Sequence, residues 1–350
     1  MSTSTKPIKR ATLKDIAAEL GLSPSTVSRA LAGHSHVNQS TRSAILRAAD
    51  RLGYQPNAIA RALRRQSTRT IGLVVPSILN DFFALSADAI QLAAERSGYQ
   101  VMLCQTSDDP AREAEYLETL AAHNVAGIIM ASCRPAGPDN LDADIPVVEI
   151  TRRSETKNAD YVGAADRDGT EELTRHLVQL GHRRIGIATG SFSFSPARDR
   201  VSGYKAALVG AEIPVSEELI MPGNPTKEWG YEATSKLLRL TDRPTGIVAT
   251  GTQLLLGTFE ALQEAGLSCP EDISVVAFED APWFAIWRPG ITAYGAPMRE
   301  MGFLAWQLLL SRMTVWTTES RGVTVSRLSG SLVVRGSTRP LLPAAPKQPV

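Results

Sequence analysis

From Thr70 onward the chain repeats one pattern: a short apolar run, a turn, a stretch with helical spacing, then another apolar run. The runs lie at Ile71 to Val75, Val101 to Cys104, Gly127 to Ala131, Pro146 to Ile150 and Tyr161 to Ala165. Most are separated by helical stretches such as Phe82 to Ser97 and Ala111 to His123. A strand that is apolar on both faces needs cover on both faces, and alternating helices supply it when the strands run parallel. The pattern then starts again. Ile185 to Thr189, Leu219 to Met221, Gly246 to Thr250 and Ile273 to Phe278 alternate with helices near Gly169 to Leu180, Ala197 to Val209, Trp229 to Leu240 and Leu254 to Ala265. Two doubly wound α/β units side by side are therefore expected. A further strand at Ile291 to Tyr294, a helix from Met298 to Arg312, and strands near Gly322 to Arg327 and Ser331 to Arg335 complete them. A length of 350 residues with 43% hydrophobic content suits two or three domains.

The first seventy residues read differently. Leu13, Ile16, Ala17 and Leu20 form one apolar stripe, and Gly21 ends that helix. Ser23 can cap a second helix and Pro24 suits its first position. On this helix Val27, Ala30 and Leu31 face inward, leaving Ser25, Thr26, Ser28 and Arg29 on the polar side. A third helix is signalled by Asn38 as cap, by Ile45, Ala48, Ala49 and Leu52 as its apolar face, and by Gly53 as its stop. The spacing predicts a small helix-turn-helix domain. Residues 1 to 70 hold 12 of the 37 basic residues and 3 of the 36 acidic ones, a net of +9, while the remaining 280 carry 25 basic and 33 acidic, a net of −8. A polyanion is drawn to one end only, because phosphate neutralisation with counterion release drives such binding.

Several function classes lack their motifs. No Gly-x-x-x-x-Gly-Lys, Gly-x-Gly-x-x-Gly after the first strand, His-Glu-x-x-His or Gly-x-Ser-x-Gly occurs, so no enzyme, cofactor or metal is expected. His34, His36, His123, His176 and His182 read as surface or capping residues, and Asp108-Asp109 before Pro110 as a turn and helix cap. Cys104, Cys133 and Cys269 suit buried thiols in a reducing cytoplasm. The first twelve residues lack the apolar run of a secretory signal, and no stretch reaches membrane-spanning length. A cytoplasmic, nucleoid-associated regulator is expected. The alternative, a two-lobed binding protein of transport type without a DNA role, would need an export signal in place of the basic head.

Residues 12 to 65, including Gly-Tyr-Gln-Pro-Asn-Ala-Ile-Ala-Arg-Ala-Leu-Arg from Gly53 to Arg64, resemble the headpiece of the LacI/GalR family of bacterial transcription regulators, and the match continues more loosely to about residue 338. The resemblance implies a helix-turn-helix headpiece over residues 1 to 56 and a hinge helix and linker over 57 to 69. A two-lobed effector-binding and dimerisation domain, similar to type I periplasmic binding proteins, follows over 70 to 338, with a flexible tail over 339 to 350. It places Pro24, Ser25 and Arg29 against major-groove bases. Thr12, Ser23, Thr26, Ser28, His36, Asn38, Tyr54 and Asn57 match or neighbour phosphate-contacting positions, although Ser23 and Asn38 would serve as caps in any fold. Pro24 cannot hydrogen-bond a base. The hinge, with Ala60 and the wedge position Leu63, implies insertion into the minor groove beside its twin from a second subunit, which bends the duplex; an ordinary linker leucine is the alternative.

For the cleft between lobes the resemblance implies an effector site with Phe82, Phe83, Arg152, Asp168, Arg200, Thr252 and Glu279. Phe82 and Phe83 could equally be core, and Arg200 a salt bridge between lobes. Thr250-Gly251-Thr252 and Glu279 depart from the Ala-Asn-Asp and Asp of many relatives, and Pro225 stands where an aromatic is frequent. With Arg152, Arg153, Arg198 and Arg200 near the cleft mouth, the charge balance favours an anionic effector, a sugar acid or a sugar phosphate. The partners expected are a palindromic DNA operator, that effector and a second copy of the chain. The function expected is repression of carbohydrate or sugar-acid genes under effector control.

Overall fold

The computed structural model describes residues 13–23, 26–27, 38–52, 68–138, 145–155, 159–314 and 322–341. They divide into two units, Met1–Thr68 and Arg69–Val350.

In the first unit, α1 (Leu13–Leu20) ends at Gly21, whose φ of 62° is the left-handed conformation glycine tolerates. Ser23 Oγ accepts the Thr26 amide at 3.2 Å, which starts the next turn. Asn38 Oδ1 accepts the Thr41 amide at 2.8 Å at the start of α2 (Gln39–Arg51). Ile16, Ala17, Val27, Ile45, Ala48 and Ala49 are buried together, so the helical spacings converge on one small core.

The second unit holds two six-stranded sheets among the described residues. The first runs in the order β11-β5-β4-β3-β1-β2, with β1 (Thr70–Val75), β2 (Gln100–Gln105), β3 (Ile128–Met130), β4 (Val147–Ile150), β5 (Asp160–Ala164) and β11 (Val325–Leu328). All its pairings are parallel; Leu73 stands opposite Leu103 on one side and Ile129 on the other. The second runs β12-β10-β9-β8-β6-β7, with β6 (Ile185–Thr189), β7 (Ile220–Pro222), β8 (Gly246–Ala249), β9 (Ser274–Phe278), β10 (Thr292–Gly295) and β12 (Ser331–Val333). Only β12 is antiparallel there. The helices are α3 (Asp81–Arg96), α4 (Pro110–Ala122), α5 (Asp166–Gln179), α6 (Ser195–Gly210), α7 (Lys227–Leu238), α8 (Thr252–Glu264) and α9 (Met298–Thr314).

The chain crosses between lobes more than once. After β10 in the second lobe, α9 packs on α3 of the first, β11 joins the first sheet, and β12 returns to the second. Asp160 fastens this excursion: its carboxylate accepts two bonds from Arg312, at 2.6 and 2.8 Å, and the Thr324 amide at 2.7 Å.

Two expectations need correction. Residues 339 to 341, assigned to a loose tail, are tied to the second lobe: the Arg339 amide donates to Ser274 Oγ and the Leu341 amide to Leu180 O at 2.7 Å. Residues 342–350 lie outside the described residues. His182, expected as a surface or capping residue, is buried between Thr245 Oγ1 at 2.9 Å and the Arg339 carbonyl at 3.2 Å. Burial lowers its pKa, so it sits as a neutral ring bridging the C-terminal strap to β8's approach.

Candidate functional site

Strand ends decide where the cleft forms. The carboxyl ends of β1, β4, β6, β8 and β9 deliver Asn80 and Phe82, Thr151 and Arg152, Ser191, Thr250 and Glu279 to one cavity between the lobes, the crevice where open α/β sheets take ligands. Asn80 Oδ1 caps α3 through the Phe82 amide at 2.9 Å, which turns Phe82 and Phe83 inward. Both rings are buried in the core and also line the cavity, so the two readings of this pair coincide. Phe194, Pro196, Ala197, Pro225 and Leu254 make much of the opposite wall.

Arg200 is held from three sides. Its Nε donates to Asp166 Oδ1 at 2.7 Å, its Nη1 donates to the Thr250 carbonyl, and its guanidinium lies 4.1 Å from the centre of the Phe278 ring. The salt bridge joins α5 to α6 inside one lobe and does not span two. Burial raises the Asp166 pKa against the opposing pull of Arg200. Glu279 Oε2 accepts from the Thr252 amide at 3.3 Å and from Thr252 Oγ1 at 3.0 Å, capping α8. Burial raises its pKa too, while Arg200 and the Thr252 bonds work in the other direction.

Arg152 is paired as well. It donates to Asp108 at 2.5 Å and stacks 4.0 Å from the centre of the Phe194 ring across the cleft. With the bond from the Arg153 amide to Ser195 Oγ at 3.1 Å and the ion pair of Arg327 with Asp199 at 3.6 Å, this contact holds the lobes together. The cavity is partly open to solvent and holds about 70 Å³. Pockets that hold drug-sized ligands run to roughly 300 Å³ and above, so this arrangement of the lobes leaves little room for one.

Of the seven cleft residues expected from sequence, Thr252 bonds Glu279 and is not part of the lining, whereas Phe82, Phe83, Arg152, Arg200 and Glu279 line the cavity. Asp168 does not. It lies on the outer side of α5, 73% exposed, beside Arg167. Asp166, two residues earlier, is the one turned inward, because positions i and i+2 of a helix face apart. Arg198 also stays at the surface, bonded to the Phe192 and Ser193 carbonyls. Thr151, Phe194 and Asp108 were not singled out from sequence as contributors to the cleft. The available signal was their position at the end of a strand or immediately before a helix.

In the head, Ser23, Thr26 and Asn38 are described, and Ser23 and Asn38 act as helix caps. Thr12, Pro24, Ser25, Ser28, Arg29, His36, Tyr54, Asn57, Ala60 and Leu63 lie outside the described residues, as does the segment expected to form the hinge. Among the described residues no cluster of His, Cys, Asp and Glu could hold a metal ion, and no helix is long and apolar enough to cross a membrane.

Residues 12–57 match the family of bacterial regulatory proteins, lacI family, and residues 174–338 match the periplasmic binding protein-like domain. The chain is 31% identical over 335 residues to the HTH-type transcriptional repressor PurR of Vibrio atlanticus, an alignment covering 95% of this chain and 99% of that one. The chain belongs to the lacI family. It is a ligand-responsive, DNA-binding transcriptional regulator of that family. Its fold superposes on a lac repressor dimer bound to operator and the anti-inducer ONPF with a TM-score of 0.80 at 26% identity, covering 95% of this chain and 100% of that one. A second neighbour of this lacI-family chain, the transcriptional regulator CelR in complex with cellobiose, gives a TM-score of 0.71 at 28% identity, covering 94% and 100% of the two chains.

Proposed function

We propose that this regulator represses genes of carbohydrate or sugar-acid metabolism from the cytoplasm, without catalysis, as a homodimer on a roughly palindromic operator. The observation that supports it most is the joining of a cationic helix-turn-helix head to a two-lobed body whose cleft is closed by contacts across the lobes. A compound that prefers one lobe arrangement shifts operator affinity by its differential binding, and the operator shifts affinity for the compound equally. The related PurR and lac repressors are named as repressors, which favours repression here. The effector is a small molecule in the cleft. Of the four arginines near the cleft mouth, the two that line the cavity are paired, Arg152 with Asp108 and Arg200 with Asp166, and Glu279 adds a further carboxylate to the lining. This balance favours an uncharged polar compound, with sugar hydroxyls as the simplest source of hydrogen bonds.

Footprinting across the genome tests the regulatory role, with enrichment expected upstream of sugar-utilisation operons; binding spread without sequence preference would defeat it. Arg29→Ala is expected to relax selection at one base pair of each half-site, since a bidentate arginine contributes roughly 1–3 kcal/mol of discrimination. Operator preferences identical to the parent in a random-site selection would remove Arg29 from base reading. Leu63→Ala is expected to leave the effector domain as stable as before while the operator bends less. An unaltered bend angle by gel phasing counts against the wedge.

A further inference from the structure

Trp283 reaches the first lobe from a place where it cannot follow a moving partner. It sits in a single 3₁₀ turn, Pro282–Phe284, shortly after β9 of the second lobe. Its indole packs edge-on against Phe284, with ring centres 4.5 Å apart, and against Trp287 at 6.2 Å. Trp287 in turn stacks on Phe259 of α8 at 5.4 Å. Phe284 is fully buried, so this file of rings fixes the indole to the core of its own lobe. From there Trp283 Nε1 donates to Asp81 Oδ2 of the first lobe at 3.4 Å.

Asp81 is held as firmly. It is the first residue of α3, directly after the Asn80 cap and directly before the buried rings of Phe82 and Phe83. A short carboxylate on a helix start and an indole wedged among aromatic rings meet over only a narrow range of lobe angle. Other crossings are more tolerant. Gln253 of α8 donates to the Leu79 carbonyl at 3.4 Å, and Arg327 faces Asp199 at 3.6 Å, through long side chains whose rotamers can follow a partner. An optimal charge-assisted bond is roughly 2.7–2.9 Å long, so the Trp283–Asp81 bond stands where a small approach of the lobes tightens it and a small separation breaks it. Asp81 also complements the positive end of α3, but that role needs only its charge, whereas the bond needs an acceptor oxygen.

Resting on the reading of this chain as a regulator whose lobe angle sets operator affinity, we propose that Trp283 and Asp81 form an angle-sensitive latch, with Trp283 the positioning residue that biases the two lobes toward each other. Neither residue belongs to the lining of the cleft cavity, so the latch acts on the lobes without contact to the effector.

The test uses the full-length protein and a duplex that the parent selects from a random-sequence library. Asp81→Ala, and Trp283→Phe, which keeps an aromatic ring but removes the donor, should each shift operator affinity about fivefold in the same direction, with the double variant shifting it no further than either alone. Asp81→Asn, which loses the charge but keeps an acceptor oxygen, should stay within about twofold of the parent. Additive or opposed shifts, parental affinity in either single variant, or equal effects of Asp81→Asn and Asp81→Ala overturn the latch. Should Trp283→Phe fail to fold, the comparison of alanine with asparagine at Asp81 still decides. Small-angle X-ray scattering gives a reading without DNA: Asp81→Ala should expand the two-lobed body and Asp81→Asn should leave it as in the parent, and a parental profile in Asp81→Ala overturns the latch. That expansion in a protein whose parent selects no duplex would support the latch and defeat the regulatory reading.

Discussion

Replacing Arg200 with alanine is expected to remove about 3–5 kcal/mol of stability from the effector domain, the usual cost of stripping one partner from a buried ion pair. The magnitude follows from the surroundings, since Asp166 retains 3% side-chain exposure and Arg200 10%. Denaturant titration checks it; a loss below about 1 kcal/mol would place the pair in the class of exposed bridges. The variant should also be sensitive to pH in a defined direction. The Asp166 carboxyl has a raised pKa in the folded protein even with Arg200 present. A carboxyl raised on folding binds its proton more tightly in the folded state. Stability is therefore gained as pH falls through the folded value toward the unfolded one, and lost on the way up. The Arg200→Ala deficit should shrink as the buffer is made acidic. Effector response should vanish as well, because the guanidinium is part of the cleft wall.

Gly203→Ala should be nearly as damaging, although alanine for glycine within a helix ordinarily stabilises by about 1 kcal/mol. An added Cβ at Gly203 would stand 1.9 Å from the Arg167 carbonyl oxygen, a backbone atom that no side-chain rotation can move. Helices α5 and α6 must then separate, at an overpacking cost of about 3 kcal/mol. Those helices carry Asp166 and Arg200, so the same separation stretches the ion pair. Lower stability together with weakened effector response is the expected result. A melting midpoint equal to or above the parent's would show that the helices tolerate the spacing.

Much of the fold was legible because its strands are short, apolar on both faces and regularly interrupted, and the two sheets with their order of helices follow from that rhythm. The excursion through α9 and β11 was legible only through family resemblance, since β11 is mostly half-exposed and carries no pattern that names its partner strand. Within the cleft, the family's motifs pointed to Arg200, Glu279 and the paired phenylalanines, all of which line the cavity. The same motifs misplaced the acid: Asp168 stands in the recognisable Arg-Asp-Gly-Thr run, but helical geometry turns Asp166 to the inside. Arg152 and Arg200 looked like surplus positive charge because Asp108 and Asp166, which neutralise them, are distant from them in sequence. His182 was misjudged for a similar reason, since the segment that buries it comes 157 residues later. Thr151 gave no signal of its own, because its φ of 67° belongs to the assembled strands.

The excursion of the chain has a consequence for biosynthesis. The first sheet awaits residues 325 to 328 and the second awaits 331 to 333, so both remain unfinished until the ribosome has passed residue 333. The head, whose core is closed by residue 49, can form while the rest is still being translated. A nascent regulator thus emerges with its nucleic-acid-reading part formed ahead of its metabolite sensor, and a transcript truncated before the codon for residue 325 would yield the former without the latter.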